Sequence, residues 1–132
     1  MPRQELDVLE ANSAFYRAFA ACDLAAMDAL WAREVPVACV HPGWDALRGR
    51  EEVMSSWRAI FSGDPPRIAS TAASAHVAGD AAFVVCHERI PGGPRLVATN
   101  VFVREGGAWR LCHHQAGPLN QEPGEAPPEA EA

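Results

Sequence analysis

The apolar positions of this chain change period once, near residue 67, which divides it into a helical first half and a stranded second half. Over residues 4–21, Val8, Ala11, Phe15, Ala18, Phe19 and Cys22 recur at three- and four-residue intervals, while Glu5, Glu10 and Arg17 fall elsewhere. That spacing predicts one amphipathic helix. Asp23 offers an N-cap for a second, shorter helix bearing Leu24, Met27, Leu30 and Trp31. Residues 35–40 read as a short strand, with Pro36 near its start, where a missing N–H is tolerated. His41-Pro42-Gly43-Trp44 turns the chain. Gly49 precedes a third helix with Glu51 and Glu52 in its first turn, where the helix dipole favours acids, and with Val53, Trp57, Ile60 and Phe61 as its stripe.

Beyond residue 67 three turn signals, Gly79-Asp80, Pro91-Gly92-Gly93-Pro94 and Glu105-Gly106-Gly107, separate four strands. Consecutive strands on short connections make an antiparallel meander, and helices followed by strands make an α+β fold. Residues 1–120 are expected to form a single domain. Residues 121–132, rich in Glu, Pro and Ala, are expected to be a disordered acidic tail.

Charge and cysteine usage narrow the function classes. Removing the four tail glutamates from the formal net charge of −6 leaves −2, a nearly neutral body without a basic stripe. Nucleic acid is therefore not an expected partner. All 11 basic residues are arginine, which excludes a lysine Schiff base on this chain. Cys22, Cys39, Cys86 and Cys112 have no CxxC spacing, and three of them lie in strand-like apolar runs, as buried hydrophobes do. The polar, helical start and the lack of a membrane-length apolar run suggest a cytoplasmic protein with reduced thiols and no membrane partner.

The element order, together with Val40-His41-Pro42-Gly43-Trp44, Leu47-Arg48-Gly49, Ser56-Trp57, Thr99-Asn100-Val101-Phe102 and the run from Trp109 to His114, resembles the SnoaL-like branch of the nuclear transport factor 2-like superfamily. The last two strands are also similar to the association domain of calcium/calmodulin-dependent kinase. The resemblance covers residues 4–118 and implies a cystatin-like cone, a curved antiparallel sheet wrapped around three helices with a small-molecule pocket between them. It implies a homodimer contact on the convex sheet face. It does not select a function, because the superfamily holds isomerases, dehydratases, cyclases, epoxide hydrolases and non-catalytic binding domains.

Strand parity filters the candidate chemistry. Neighbours on a strand point to opposite faces, so Cys86-His87 and Cys112-His113 cannot be dyads, and His113 and His114 cannot share a pocket. If Glu105-Gly106-Gly107 is the hairpin loop, Arg104 pairs with Ala108 and Asn100 lies opposite Cys112. Ala98, Asn100 and Phe102 then share a face with Arg110, Cys112 and His114, while Val101, Val103, Trp109, Leu111 and His113 take the other. A two-residue loop would swap this partnership. In the kinase association domain, pocket arginines stand at positions matching Glu88, Asn100 and Ala116. The resemblance therefore places Glu88, Asn100, Cys112 and His114 inward. Replacing those arginines by an acid, an amide and a methyl disfavours an anionic ligand and favours a neutral, cyclic one.

Glu88 reads equally as a solvent-facing carboxylate paired with Arg89 or Arg110, or as a pocket acid with a raised pKa. His114 could be oriented by Glu88 or simply hydrogen-bonded within its strand. His41 either shapes the turn or approaches His114, since the first strand of this superfamily runs beside the last. Asn100 could polarise a substrate carbonyl or satisfy polar neighbours. Trp31 and Trp57 suit the core; Trp44, on a loop, suits a pocket mouth, and Trp44 and Trp57 are carried as substrate-binding candidates. His41, His114 and Glu88 could be written as a facial triad, but no ligand pair has metal-site spacing, and neither metal nor cofactor is expected. The leading expectation is a cofactor-free acid–base enzyme using Glu88, His114 and His41, of the isomerase, cyclase or dehydratase type. The alternative is a non-catalytic binding or assembly domain.

Overall fold

The computed structural model describes residues 2–120; the expected acidic tail lies outside the described residues. The elements are α1 (Arg3–Ala20), α2 (Leu24–Leu30), β1 (Ala38–Val40), β2 (Leu47–Arg48), α3 (Arg50–Ser62), β3 (Ala69–Ala78), β4 (Ala81–Arg89), β5 (Arg95–Glu105) and β6 (Ala108–Pro118). They build an α+β fold in which three helices lie against a curved, open sheet of order β2-β1-β6-β5-β4-β3.

Helix α1 packs across β3, β4 and β6 and buries Val8, Asn12, Phe15, Tyr16, Ala18 and Phe19. Its stripe stops short of Cys22, which is exposed at φ 50, because the helix has ended at Ala20. Asp23 then caps α2, its carboxylate accepting from the Ala26 N–H at 3.0 Å. Arg50, at the start of α3, donates to Asp28 Oδ1 and to the carbonyls of Trp31 and Ala32, pinning α3 to the end of α2. Between the layers Phe15, Met27, Trp31, Val53, Trp57, Val84, Phe102 and Leu111 are fully buried.

The sheet departs from the expected pattern in three places. It is mixed rather than wholly antiparallel, because β1 runs parallel to β6 with Cys39 opposite His114. β1 is shorter than residues 35–40 suggested, and the two-residue β2 pairs with it; two residues are too few to show a period. The last hairpin turns on two residues, not three. Glu105 pairs with Ala108, and Gly106 and Gly107 stand at φ 57 and 80, the conformation a tight two-residue turn needs.

The shorter loop reverses parity at the turn, so Trp109 and Leu111 face the core instead of the convex surface. A bulge then inserts Cys112 between Leu111, opposite Phe102, and His113, opposite Val101. Asn100 therefore pairs with His114, and Cys112 leaves the inward set. The expected Asn100–Cys112 pairing is corrected on both counts.

Candidate functional site

Alternation along β4 sends Ala82, Val84, Cys86 and Glu88 inward, and along β5 Leu96, Ala98, Asn100 and Phe102. The Cys112 bulge adds His114 from β6. Opposite them, Asn12 and Tyr16 project from α1 one turn apart. The five polar side chains meet inside the fold: Glu88 is 3% exposed, Asn100 0% and His114 3%.

They form one connected chain. Tyr16 Oη donates to Glu88 Oε2 at 2.7 Å and accepts from Asn100 Nδ2 at 3.1 Å. Asn100 Nδ2 also donates to Asn12 Oδ1 at 2.8 Å, and Asn100 Oδ1 meets His114 Nδ1. The far nitrogen of the same imidazole, Nε2, stands 3.9 Å from Glu88 Oε2, beyond hydrogen-bond reach. Cys86 Sγ lies 3.4 Å from the Tyr16 hydroxyl.

Burial dominates the electrostatics. It raises the Glu88 carboxyl, opposed by the Tyr16 hydrogen bond, and it pushes the Tyr16 phenol far up. It lowers His114 to about 3, with His41 and His113 adding to the effect. At neutral pH the imidazole is uncharged, so the approach of His114 to Glu88 is not an ion pair. Phe15 packs 4.9 Å from the His114 ring and Trp57 6.3 Å from it.

His41 follows β1 and sits between Trp44 and Trp57, at 4.8 and 4.7 Å, with its ring 6.3 Å from His114. Its Nε2 lies 2.9 Å from Ser56 Oγ. The Ser56 hydroxyl donates to the Val53 carbonyl at 2.6 Å, so His41 is the donor to Ser56. Burial holds His41 near 4, also uncharged.

The structure brings together Glu88, Asn100 and His114, with His41 in a second layer, and does not bring Cys112 to them. Trp57 is fully buried and packs against both histidines, and Trp44 is half exposed beside His41. The polar cluster is enclosed. A surface cavity of about 830 Å³ is lined by Trp44, Leu47, Arg48, Glu52, Ser55 and Ser56, and touches the site only through Ser56 and Trp44. Phe15, Tyr16 and Trp57 fill the space an open cone would leave. Among the described residues, no group of three or more His, Cys, Asp or Glu is placed to hold a metal ion. The sequence reading missed Asn12 and Tyr16; the available signal was an asparagine one turn after Val8 and one turn before Tyr16 on an otherwise apolar face.

Three helices on a curved open sheet, with polar side chains gathered where the two layers meet, define the cystatin-like, nuclear transport factor 2-like class. Within it, the SnoaL-like domain family matches residues 8–120, and the chain belongs to that family. The structure of a candidate dehydratase of the nuclear transport factor 2-like family from Streptomyces avermitilis is 35% identical, with TM-score 0.81 over 89% of this chain and 97% of that one. A candidate calcium/calmodulin-dependent protein kinase type II association domain from Thiobacillus denitrificans is 36% identical, with TM-score 0.75 over 83% and 93%. The F-box protein SKIP8 of Arabidopsis thaliana is 28% identical over 112 residues, 83% of this chain, which spans about half (48%) of that curated relative. Among the described residues no helix is long and apolar enough to cross a membrane.

Proposed function

We propose that this chain is a cofactor-free acid–base enzyme that moves a proton on a neutral cyclic substrate, an isomerase, cyclase or dehydratase in type. The observation that carries the reading is the 3.9 Å approach of His114 Nε2 to Glu88 Oε2 inside an apolar shell, with burial raising the acid and lowering the base. Raising the carboxyl brings Glu88 towards the working pH, where it can both give up and take back a proton, and burial leaves the neutral His114 beside it with a lone pair. Neutrality of the substrate follows from the interior charge. Every arginine among the described residues is exposed or only partly buried, so nothing cationic waits inside for an anion. The 35% identical candidate dehydratase is consistent with this chemistry. Substrate would dock in the cavity beside Trp44 and reach the cluster when the His41–Trp44 contact opens.

A second reading, a binding or assembly domain working as a homodimer, is favoured by the closure of the cluster and by the exposed Phe83, Val85 and Val97 on the convex sheet face. The likeness to a kinase association domain points the same way. Solvent-deuterium exchange separates the two. A panel of neutral cyclic ketones and hydroxyketones is incubated with the protein in D2O, and proton loss at carbon is followed by NMR. Exchange that disappears in Glu88→Gln supports the enzyme; compounds that bind without exchange support the binding domain.

A further inference from the structure

The hydrogen-bond chain assigns a position to each of its protons, and one residue decides the assignment. Asn100 Nδ2 faces Asn12 Oδ1 at 2.8 Å and the Tyr16 oxygen at 3.1 Å. With Asn12 presenting its Oδ1 to this contact, turning the Asn100 amide over would set two amide oxygens against each other at 2.8 Å, an arrangement no proton could bridge. With the Tyr16 proton given to Glu88 Oε2 at 2.7 Å, and any proton of the carboxyl on its other oxygen, the Tyr16 oxygen accepts from Asn100. These two orientations set the Asn100 amide the same way, and Asn100 Oδ1 is left facing His114 Nδ1. A carbonyl oxygen only accepts, so the proton of the neutral imidazole lies on Nδ1, and Nε2 carries the free lone pair.

We propose that Asn100 is the positioning residue of the site: it holds the proton of His114 on Nδ1 so that the basic Nε2 faces Glu88, with Tyr16 and Asn12 locking the amide. This deepens the acid–base reading and rests on it for its catalytic meaning, but the tautomer itself does not. Without Asn100 the imidazole would be free to carry its proton on Nε2 and donate it to the nearby carboxyl. The acid and the base would then compete for one another, and neither would be available to a substrate. Asn100, carried at first as a candidate for polarising a substrate carbonyl, has both faces of its amide already engaged, which leaves it a role exercised through His114.

The experiment is long-range 1H–15N NMR of the imidazoles in the full-length protein at pH 7, with His114 assigned by its loss in His114→Gln. The wild type is expected to show protonated Nδ1 and unprotonated Nε2. In Asn100→Leu, which keeps the volume but removes the acceptor, the proton is expected to move to Nε2. A wild-type His114 protonated on Nε2 overturns the proposal, and so does an Asn100→Leu protein in which the Nδ1 proton stays. Should that variant not fold, Asn100→Ala, which removes the acceptor without adding an oxygen or a charge, supplies the second test with the same readout, and an Nδ1 proton that stays there also overturns the proposal. The tautomer is read without substrate. A confirmed Nδ1 proton together with no deuterium exchange on any compound would leave Asn100's placement standing and remove the enzyme.

Discussion

His114 Nε2 and Glu88 Oε2 face each other across 3.9 Å in the protein interior, a base and an acid that burial pushes towards their neutral forms. The arrangement makes Glu88→Gln an informative substitution. The amide keeps the oxygen that accepts from Tyr16 and loses only the titrating proton. Any proton-transfer activity is expected to fall about a hundredfold or more, the range of a general acid–base contribution. Stability should move the other way: as pH rises from the ordinary carboxyl value of about 4.5 to the raised one, the wild type takes on a buried charge, at about 1.4 kcal/mol per unit of elevation, and the penalty stays complete above it. Melting curves at pH 4.5 and pH 9 check this: the variant should gain on the wild type at the higher pH. The same difference between variant and wild type at both would place Glu88 in contact with solvent.

The two buried histidines set the acid limb of stability. His41 near 4 and His114 near 3 both lie below their ordinary 6.5, so the native state stays unprotonated where the unfolded chain takes up protons. Their contribution is complete above about 6.5 and is lost as pH falls, with two protons taken up on unfolding between about 4 and 6.5. Urea unfolding of Glu88→Gln, in which the opposing carboxyl no longer titrates, should therefore lose about 2–4 kcal/mol between pH 7 and pH 5. His41→Gln should remove about half of it. A flat profile would mean that neither ring is buried.

A three-residue loop and a regular ladder would put Asn100 and His114 on one face, but they share it for a different reason: the hairpin has a two-residue loop and a bulge at Cys112. Each shift reverses parity, and the two cancel at His114 but not at Trp109, Leu111 or Cys112. Helix stripes and strand alternation are local properties, so α1, α3 and the four long strands could be read from residue order. A bulge is set by what the strand packs against, and no residue type announces this one. Tyr16 was hidden by its neighbour Phe15: the wide apolar face of α1 buries both, and a stripe read at strict three–four spacing takes only one.

The two-residue turn itself can be tested. Gly107 stands at φ 80 with open space where a Cβ would be, so Gly107→Ala adds backbone strain and no clash. The expected loss is about 1–2 kcal/mol, the cost of the left-handed conformation for an L-residue. Gly117 also has open space but a φ outside that region, and Gly117→Ala should cost far less. Equal losses at both positions would argue against the turn geometry.

The convex face carries the assembly prediction. A three-residue hairpin loop would put Val101, Val103, Trp109 and Leu111 on this face, but Trp109 and Leu111 point into the core. The outward apolar positions are instead Phe83, Val85 and Val97, at 42%, 36% and 37% exposed, with Val101 half-buried opposite Phe83. They lie on the adjacent strands β4 and β5, so they form a continuous patch across the sheet, and its rim holds the His76 ring stacked on Phe83 at 4.8 Å. A contiguous apolar surface of this kind is unfavourable in water and is relieved by a self-complementary contact. Sedimentation at micromolar concentration should show a dimer. Phe83→Glu and Val97→Glu together should give a monomer, since two charges on each copy would be carried into the contact. Neither side chain supports the core, so the monomer should keep its far-ultraviolet circular dichroism and the His114 tautomer. A wild-type protein that sediments as a monomer, or a double variant that still dimerises, would move the contact off this face.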